Sequence, residues 1–583
     1  MKKYMLKSWW RYLIGGASLL ASTFLDVILP MVVMYLVDDV IVGRDLSKLK
    51  LYILMIAGCA VGRTIFQYLK EFLLDGAGSY VAENLRKDLL SHITRLSKPY
   101  FKKNNTGEIM AHVKDDTSYI WDMAGFVSML LVEGAIYFVS VLVCMIKLNF
   151  KLSLIPIVFL PILAVMVIRL EKKLDKNYDS ISEENAKLTR CIEENISGVR
   201  TVKAFSAEED ELKKFDERNQ AYNDINVKQA RDMANAEPLI QFIPKLMQAC
   251  VITVGGIMAI RGNITYGTLV AFMQYASNIV WPLENLGWML SCISAGITGR
   301  KKINRIFNEK PVIESPENPV TDFTPTGALT FKNVSFKIDD TEILNNVSFN
   351  LEKGKTIGIM GATGAGKSSV VNLIERFYDV TDGEILVDGV NIKNLPLEYV
   401  RGFSSVVSQD VFLFSDTISD NVKLGRKKTL DDKTVRYAIE KAHAKEFVEK
   451  ITDTYDAVIG ERGIGLSGGQ KQRLSIARAL SRDSKLLIMD DSTSALDTET
   501  EAEIQQEIKA KKDMSKIIIG HRISSVKDAD EIIVLDKGAI RERGTHEELM
   551  RKRGMYFATY QAQYGSLDEA ISSFTEGGVA YGN

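Results

Sequence analysis

Two hydrophobic patterns divide the chain. In the first half, long apolar runs alternate with charged stretches, and a helix needs about 20 predominantly apolar residues to cross a hydrocarbon core. Runs of that kind lie at residues 12–36, 51–74, 125–146, 152–170, 239–260 and 268–293, which reads as about six spans. Asp26 and Pro30 interrupt the first of them. Residues 75–97 and 171–231 are rich in Lys, Glu, Leu and Ala and hold no proline, so they are expected to carry the flanking spans onward as helices. Each contains or adjoins one break, at 99–109 and at Ser197-Gly198 with 205–209. A short helix turning across the end and an ordinary loop both fit these breaks.

After residue 309 the pattern shortens. Pro311, Pro316, Pro319 and Pro325 stand among few apolar residues and mark 310–328 as a linker. Residues 329–336 and 343–351 alternate apolar with polar positions and read as strands. An α/β domain of about 240 residues follows, a plausible single unit. Little core-forming pattern remains after Ile571, so 566–583 is expected to be a tail.

Composition supports this division. A chain of 583 residues exceeds one hydrophobic core, and a mean hydropathy near zero is too apolar for a wholly soluble protein. Lys and Arg number 73 against 74 Asp and Glu, a net charge of −1 that points to no nucleic-acid partner. Cys59, Cys144, Cys191, Cys250 and Cys292 are odd in number and scattered, which suits reduced structural thiols rather than a disulfide or zinc framework. Lys and Arg collect before the first span (Lys2, Lys3, Lys7, Arg11) and after the second, fourth and sixth (Arg86, Lys172, Arg300 and their neighbours). Positive connections face the cytosol, so both termini are expected there, in a multi-pass protein of the plasma membrane, the inner membrane of a bacterium. The start, Met1-Lys-Lys-Tyr, lacks a cleavable-signal pattern, and no peptidase-like domain precedes the first span, so peptide processing coupled to export is not expected.

Ionisable residues inside spans are costly and mark functional candidates. Asp26, Arg63, Glu133, Glu237 and Glu284 qualify, as intramembrane pairs or as contacts to cargo. Trp281, Trp288, Met273 and Met289 fit a cavity for apolar molecules or, equally, helix packing.

The candidate chemistry centres on Gly361-Ala-Thr363-Gly364-Ala-Gly366-Lys367-Ser368, with Ser369 opening the helix behind it. The pattern G-x-x-x-x-G-K-[ST] follows a strand-like run and precedes a helix-like one. Its backbone amides can close on phosphate oxygens, Lys367 can reach the terminal phosphates, and the Ser368 hydroxyl suits Mg²⁺. ATP and Mg²⁺ are therefore the expected ligands.

With Ser408-Gln409-Asp410, Leu466-Ser467-Gly468-Gly469-Gln470, Leu486 to Asp490, Ser494-Ala-Leu-Asp497 and Gly520-His521-Arg522 in this order, the chain resembles the ATP-binding cassette family. Six spans ahead of the cassette resemble an exporter-type (type IV) half-transporter. The implied fold is multidomain: an all-α six-helix transmembrane domain with long cytosolic extensions (1–309), the linker (310–328), an α/β P-loop ATPase domain (329–565) and the tail. Residue chemistry agrees that Asp490, ending an apolar strand, can hold Mg²⁺ opposite Ser368. The resemblance further implies that Gln409 approaches the metal and the attacking water and that His521 contacts the terminal phosphate. It implies too that Ser467, Gly468, Gly469 and Gln470 serve ATP held by a partner's phosphate loop, and that coupling helices lie near Thr106-Gly107 and Phe205-Ser206.

Two departures matter. Where the family usually has a glutamate to polarise water, this chain has Asp491, one methylene shorter, and an error of about 1 Å in a catalytic group can cost on the order of 100-fold. Where relatives usually stack a tyrosine on adenine, this chain has Ile338. The expected function is ATP-driven export of small amphipathic or hydrophobic molecules, whether drug, lipid or peptide. This chain would be the hydrolysis-impaired half of a heterodimer whose other subunit keeps the glutamate. The competing readings are a homodimeric exporter and an ATP-gated channel or nucleotide-binding regulator.

Overall fold

The computed structural model describes residues 2–576 apart from 428, 461, 462 and 494, with backbone only for 2 and 566–576. Ser494 of the Ser494 to Asp497 motif and residues 577–583 of the expected tail lie outside the described residues. The chain forms two compact units, one of Met1–Leu96 and Phe101–Lys310, the other of Ser97–Tyr100 and Pro311–Asn583.

The first unit is helical. Its long helices are α1 (Trp9–Tyr35), α2 (Leu49–Ile93), α3 (Phe126–Leu148), α4 (Phe150–Ser197) and α5 (Glu208–Ile260). Among the described residues, five helical segments are long and apolar enough to cross a membrane, and these helices form their bulk. At 48 residues, α4 is about 70 Å long, more than twice the roughly 30 Å of a hydrocarbon core. The charged stretches therefore do continue the spans as helix. Short helices at Lys98–Lys103 and Val199–Ala204 turn the chain at the two breaks.

The expected span at 268–293 is not one helix. It is split into α6 (Tyr266–Asn278), a single turn at Trp281–Glu284, and α7 (Leu286–Asn308). Pro282 has no N–H to donate, and its ring crowds the carbonyl four residues back, at Asn278, where α6 ends.

Helices α1, α3, α4, α5 and α6 share one core that includes Val27, Met34, Met145, Leu163, Met247 and Phe272. Gly267 lets α6 close on α1, because a Cβ there would meet the Met34 carbonyl oxygen. Its N–H donates to Asp38 Oδ1 at 2.7 Å, and the Tyr275 hydroxyl donates to the Val27 carbonyl. Two of the in-span charges pair with each other: Arg63 Nε lies 2.6 Å from Asp26 Oδ1, joining α2 to α1. Glu133 on α3 pairs with Lys70 on α2, a residue only 1% exposed that the sequence reading did not single out. Glu237 accepts from Gln241 Nε2 at 3.3 Å on an exposed helix face, and Glu284 sits in the single turn.

The second unit has two sheets. An antiparallel sheet orders β1 (Leu329–Ile338), β2 (Thr341–Leu351), β4 (Asp382–Val387) and β5 (Val390–Asn391) as β2-β1-β4-β5. The other contains β3 (Thr356–Gly361), β6 (Ser404–Val407), β7 (Leu486–Asp490), β8 (Ser515–Ile519), β9 (Glu531–Asp536) and β10 (Ala539–Gly544) in the order β10-β9-β3-β8-β7-β6. All neighbours in it are parallel except β10 against β9. Strands such as Leu486-Leu-Ile-Met are continuously apolar because a parallel sheet is covered on both faces. The helices α8 (Lys367–Ile374), α9 (Gly468–Leu480), α10 (Thr498–Ala510), α11 (Ile523–Val526) and α12 (Met555–Glu576) position the site. Because α12 runs to Glu576, the boundary drawn at 566 falls inside a helix.

Candidate nucleotide site

Parallel strands present their carboxyl ends at one edge of a sheet, where ligands of α/β domains bind. Here β3 ends at Gly361 and runs into the phosphate loop, and β7 ends at Asp490, opposite Ile519 of β8. His521 stands two residues past β8, and Gln409 stands in an exposed loop two residues past β6. The phosphate loop, Gln409, Asp490 and His521 thus share one edge.

The loop needs its glycines. Gly366, the N-cap of α8, has φ +101°, and a Cβ there would lie 2.7 Å from Leu344 Cδ2 and 3.0 Å from Ile343 O. Gly364 has φ +83°, in the left-handed region that side chains avoid. No side chain caps α8, so the first amides of the helix, at Lys367 and Ser368 behind exposed Thr363, remain for an anion, while Ser369 N–H donates to Gly366 O at 3.0 Å. Lys367 is 8% exposed, and its Nζ donates to Gly361 O at 2.8 Å and Ala362 O at 3.0 Å.

Electrostatics tie the edge into one cluster. Burial lowers the Lys367 pKa, while Asp490 and Asp491 push it back up. Burial raises the Asp490 carboxyl, opposed by a hydrogen bond from the Ser368 hydroxyl and by the charges of Lys367 and His521, and reinforced by Asp491. Asp491 follows directly: its N–H donates to Ile519 O at 2.9 Å, and its φ of +44° turns the chain off the sheet.

The signature residues form a second group. Ser467 caps α9, its Oγ accepting from Gln470 N at 3.3 Å while Gln470 Oε1 accepts from Ser467 N at 2.9 Å. The Gln470 side chain, assigned from sequence to ATP, is therefore engaged in a capping box. Gly468 and Gly469 lie against Ala495, where added Cβ atoms would sit 3.6 Å from its Cβ and 3.1 Å from its O. Among the described residues, no hydrogen bond of Ser467 to Gln470 reaches the phosphate loop of the same chain. Ile338 ends β1, half-buried and, like Ile343, packed against the core. Sequence reasoning missed Glu501 on α10, which is 4% exposed and accepts from Thr493 Oγ1 at 2.8 Å, Ser525 Oγ at 3.0 Å and Gln505 Nε2 at 3.1 Å. Nothing in the charged run Thr498-Glu-Thr-Glu-Ala-Glu marks which carboxylate is buried.

The family model described as ABC transporter transmembrane region matches residues 12–283, and that described as ABC transporter matches residues 344–494. The chain is 33% identical over 571 residues to the multidrug resistance-like ATP-binding protein MdlA of Buchnera aphidicola subsp. Schizaphis graminum, covering 97% of each chain. It is also 33% identical over 555 residues to the ATP-dependent lipid A-core flippase of Haemophilus influenzae, covering 94% of each. The chain belongs to the ABC exporters. A bacterial Atm1-family ABC exporter solved with ATP bound superposes with a TM-score of 0.78 at 28% identity, over 96% of this chain and 98% of that one. This ABC exporter is a multi-pass membrane half-transporter with fused transmembrane and ATP-binding domains, which couples ATP hydrolysis to export as part of a dimer.

Proposed function

We propose that this chain is the less hydrolytic half of a heterodimeric exporter that moves small amphipathic or hydrophobic molecules out across a plasma membrane. The observation that carries the reading is Asp491: the carboxylate after Asp490 is one methylene short, while Ser467 and the glycines after it remain built for a phosphate. ATP on this chain's phosphate loop would act mainly as a clamp, and this chain's Ser467 to Gly469 would complete the productive site on a partner that keeps a glutamate. The separation of the signature from the phosphate loop within one chain supports a site shared between two chains. ATP favours the closed pair of cassettes and hydrolysis weakens it, which is the differential binding a conformational cycle requires.

The residues fit Mg²⁺. Burial leaves the Asp490 carboxylate with a raised pKa and only partial compensation, the Ser368 hydroxyl touches it, and a divalent cation would supply the missing charge. Ser368, Asp490 and Gln409 would hold that ion, which when bound neutralises charge on the transferred phosphoryl group. Lys367 orients the terminal phosphates, and His521 contacts them from the end of β8. The basic clusters before the first span and after the second, fourth and sixth support cytosolic termini. The named activities of the relatives, multidrug resistance-like and lipid A-core flippase, support amphipathic cargo, whether drug, lipid or peptide. We assign the coupling of cassette to spans to the short helices Lys98–Lys103 and Val199–Ala204, a few residues before the positions first marked.

The test is ATP turnover by the purified chain alone. It should be slow, little changed by Asp491→Asn, and raised on the order of 100-fold by Asp491→Glu. Fast turnover that Asp491→Asn abolishes would instead favour the homodimer.

A further inference from the structure

The last helix reaches back to the loop that carries His521. Gln563 on α12 uses both ends of its side-chain amide there: Nε2 donates to His521 O at 2.7 Å, and Oε1 accepts from Ile523 N–H at 2.9 Å. Ile523 is the first residue of α11, whose N-cap Arg522 gives no side-chain cap. Its amide is one of the orphan donors at a helix start, and Gln563 satisfies it from another element. Bonds on both sides of Arg522 restrain the position and the orientation of the peptides flanking His521.

The helix bearing Gln563 is itself seated. Tyr556, 1% exposed, packs with Met360, Ile523 and Val526, and Tyr560 and Tyr564 join that cluster. Gln563 follows Tyr556 by seven residues and so falls on the same helix face. From the other side, Glu501 accepts from Ser525 Oγ and Thr493 Oγ1, linking α11 to the stretch after Asp491. The His521 charge acts on Asp490, so a shift of this loop changes the nucleotide edge directly.

We infer that Gln563 is a positioning residue for His521, through which the carboxyl-terminal helix sets the preference of this chain's site for ATP over ADP. The inference rests on the proposed contact of His521 with the terminal phosphate. A group that meets only that phosphate discriminates ATP from ADP, and misplacing it by about 1 Å forfeits most of the contact. A glutamine that merely docked α12 would leave that discrimination unchanged.

The experiment uses the purified full-length chain in lipid nanodiscs, with metal chelated so that hydrolysis does not intervene. ATP and ADP affinities and amide exchange over residues 520–526 are measured for Gln563→Leu, which keeps the helix-face volume, for His521→Ala and for the double variant. Gln563→Leu should speed exchange over 520–526 and weaken ATP about 3- to 10-fold, a loss of the order expected for one or two hydrogen bonds. ADP affinity should stay unchanged, and the double variant should be no worse than His521→Ala alone. Equal losses for ATP and ADP, or effects that multiply in the double variant, overturn the inference. Unchanged exchange in Gln563→Leu overturns the clamp alone. An unchanged ATP-to-ADP ratio in His521→Ala overturns the phosphate role of His521 and this inference with it.

Discussion

Asp490 shows how a single carboxylate can be placed for a ligand rather than for the stability of the free protein. Burial raises its pKa above the ordinary aspartate value, so the folded state binds that proton more tightly than the unfolded chain does. The stability tied to this group is therefore full at low pH and is lost as pH rises through the raised pKa. Nucleotide-free Asp490→Asn should melt above wild type at neutral pH, with the gap shrinking as pH falls below the usual aspartate range, and it should lose Mg²⁺-dependent ATP binding. Calorimetry across that pH range checks both. Ile338, half-buried at the end of β1, packs but cannot stack on a base. Ile338→Tyr should tighten ATP by about 1 to 3 kcal/mol if the ring meets adenine, measured by titration. The phosphate loop was legible in the sequence because its chemistry is local: Gly364 and Gly366 are required by backbone φ, and Lys367 follows at fixed spacing. Glu501 and Gln563 were not, because Thr493, Ser525 and His521, the partners that define them, lie 8 to 42 residues away and only the fold brings them together.

Single elements carried most of their own signal. The long charged helical extensions were visible as Lys, Glu, Leu and Ala without proline, and α4 and α5 run as those stretches imply. Pro282 was equally visible, yet the run around it is apolar enough to read as one span, and only the structure shows where α6 stops. The pairing of in-span charges needs three helices placed side by side. Removing one member of a buried ion pair typically costs about 3–5 kcal/mol, whereas replacing both by apolar residues is often neutral. Lys70→Met should therefore lower the melting temperature of the membrane unit, and Lys70→Met with Glu133→Met should recover most of the loss. If the single variant melts like wild type, the pair between α2 and α3 does not hold that unit together.

At the scale of the whole molecule, a helical membrane unit and an ATPase unit share one chain, and in the ATPase unit the Ser467 to Gln470 stretch forms no hydrogen bond to the phosphate loop among the described residues. That division is what a dimer with shared nucleotide sites requires. The sequence carried the motifs for it, but not the identity of the second chain, because a partner leaves no mark on a pattern read from one polypeptide. The most direct measurement is ATP turnover of the native complex isolated from its own membrane, with Asp491→Asn compared against Ser467→Arg in this chain. The account predicts that Asp491→Asn retains most turnover while Ser467→Arg removes nearly all of it. Loss of turnover in Asp491→Asn, in a complex made only of this chain, would contradict it.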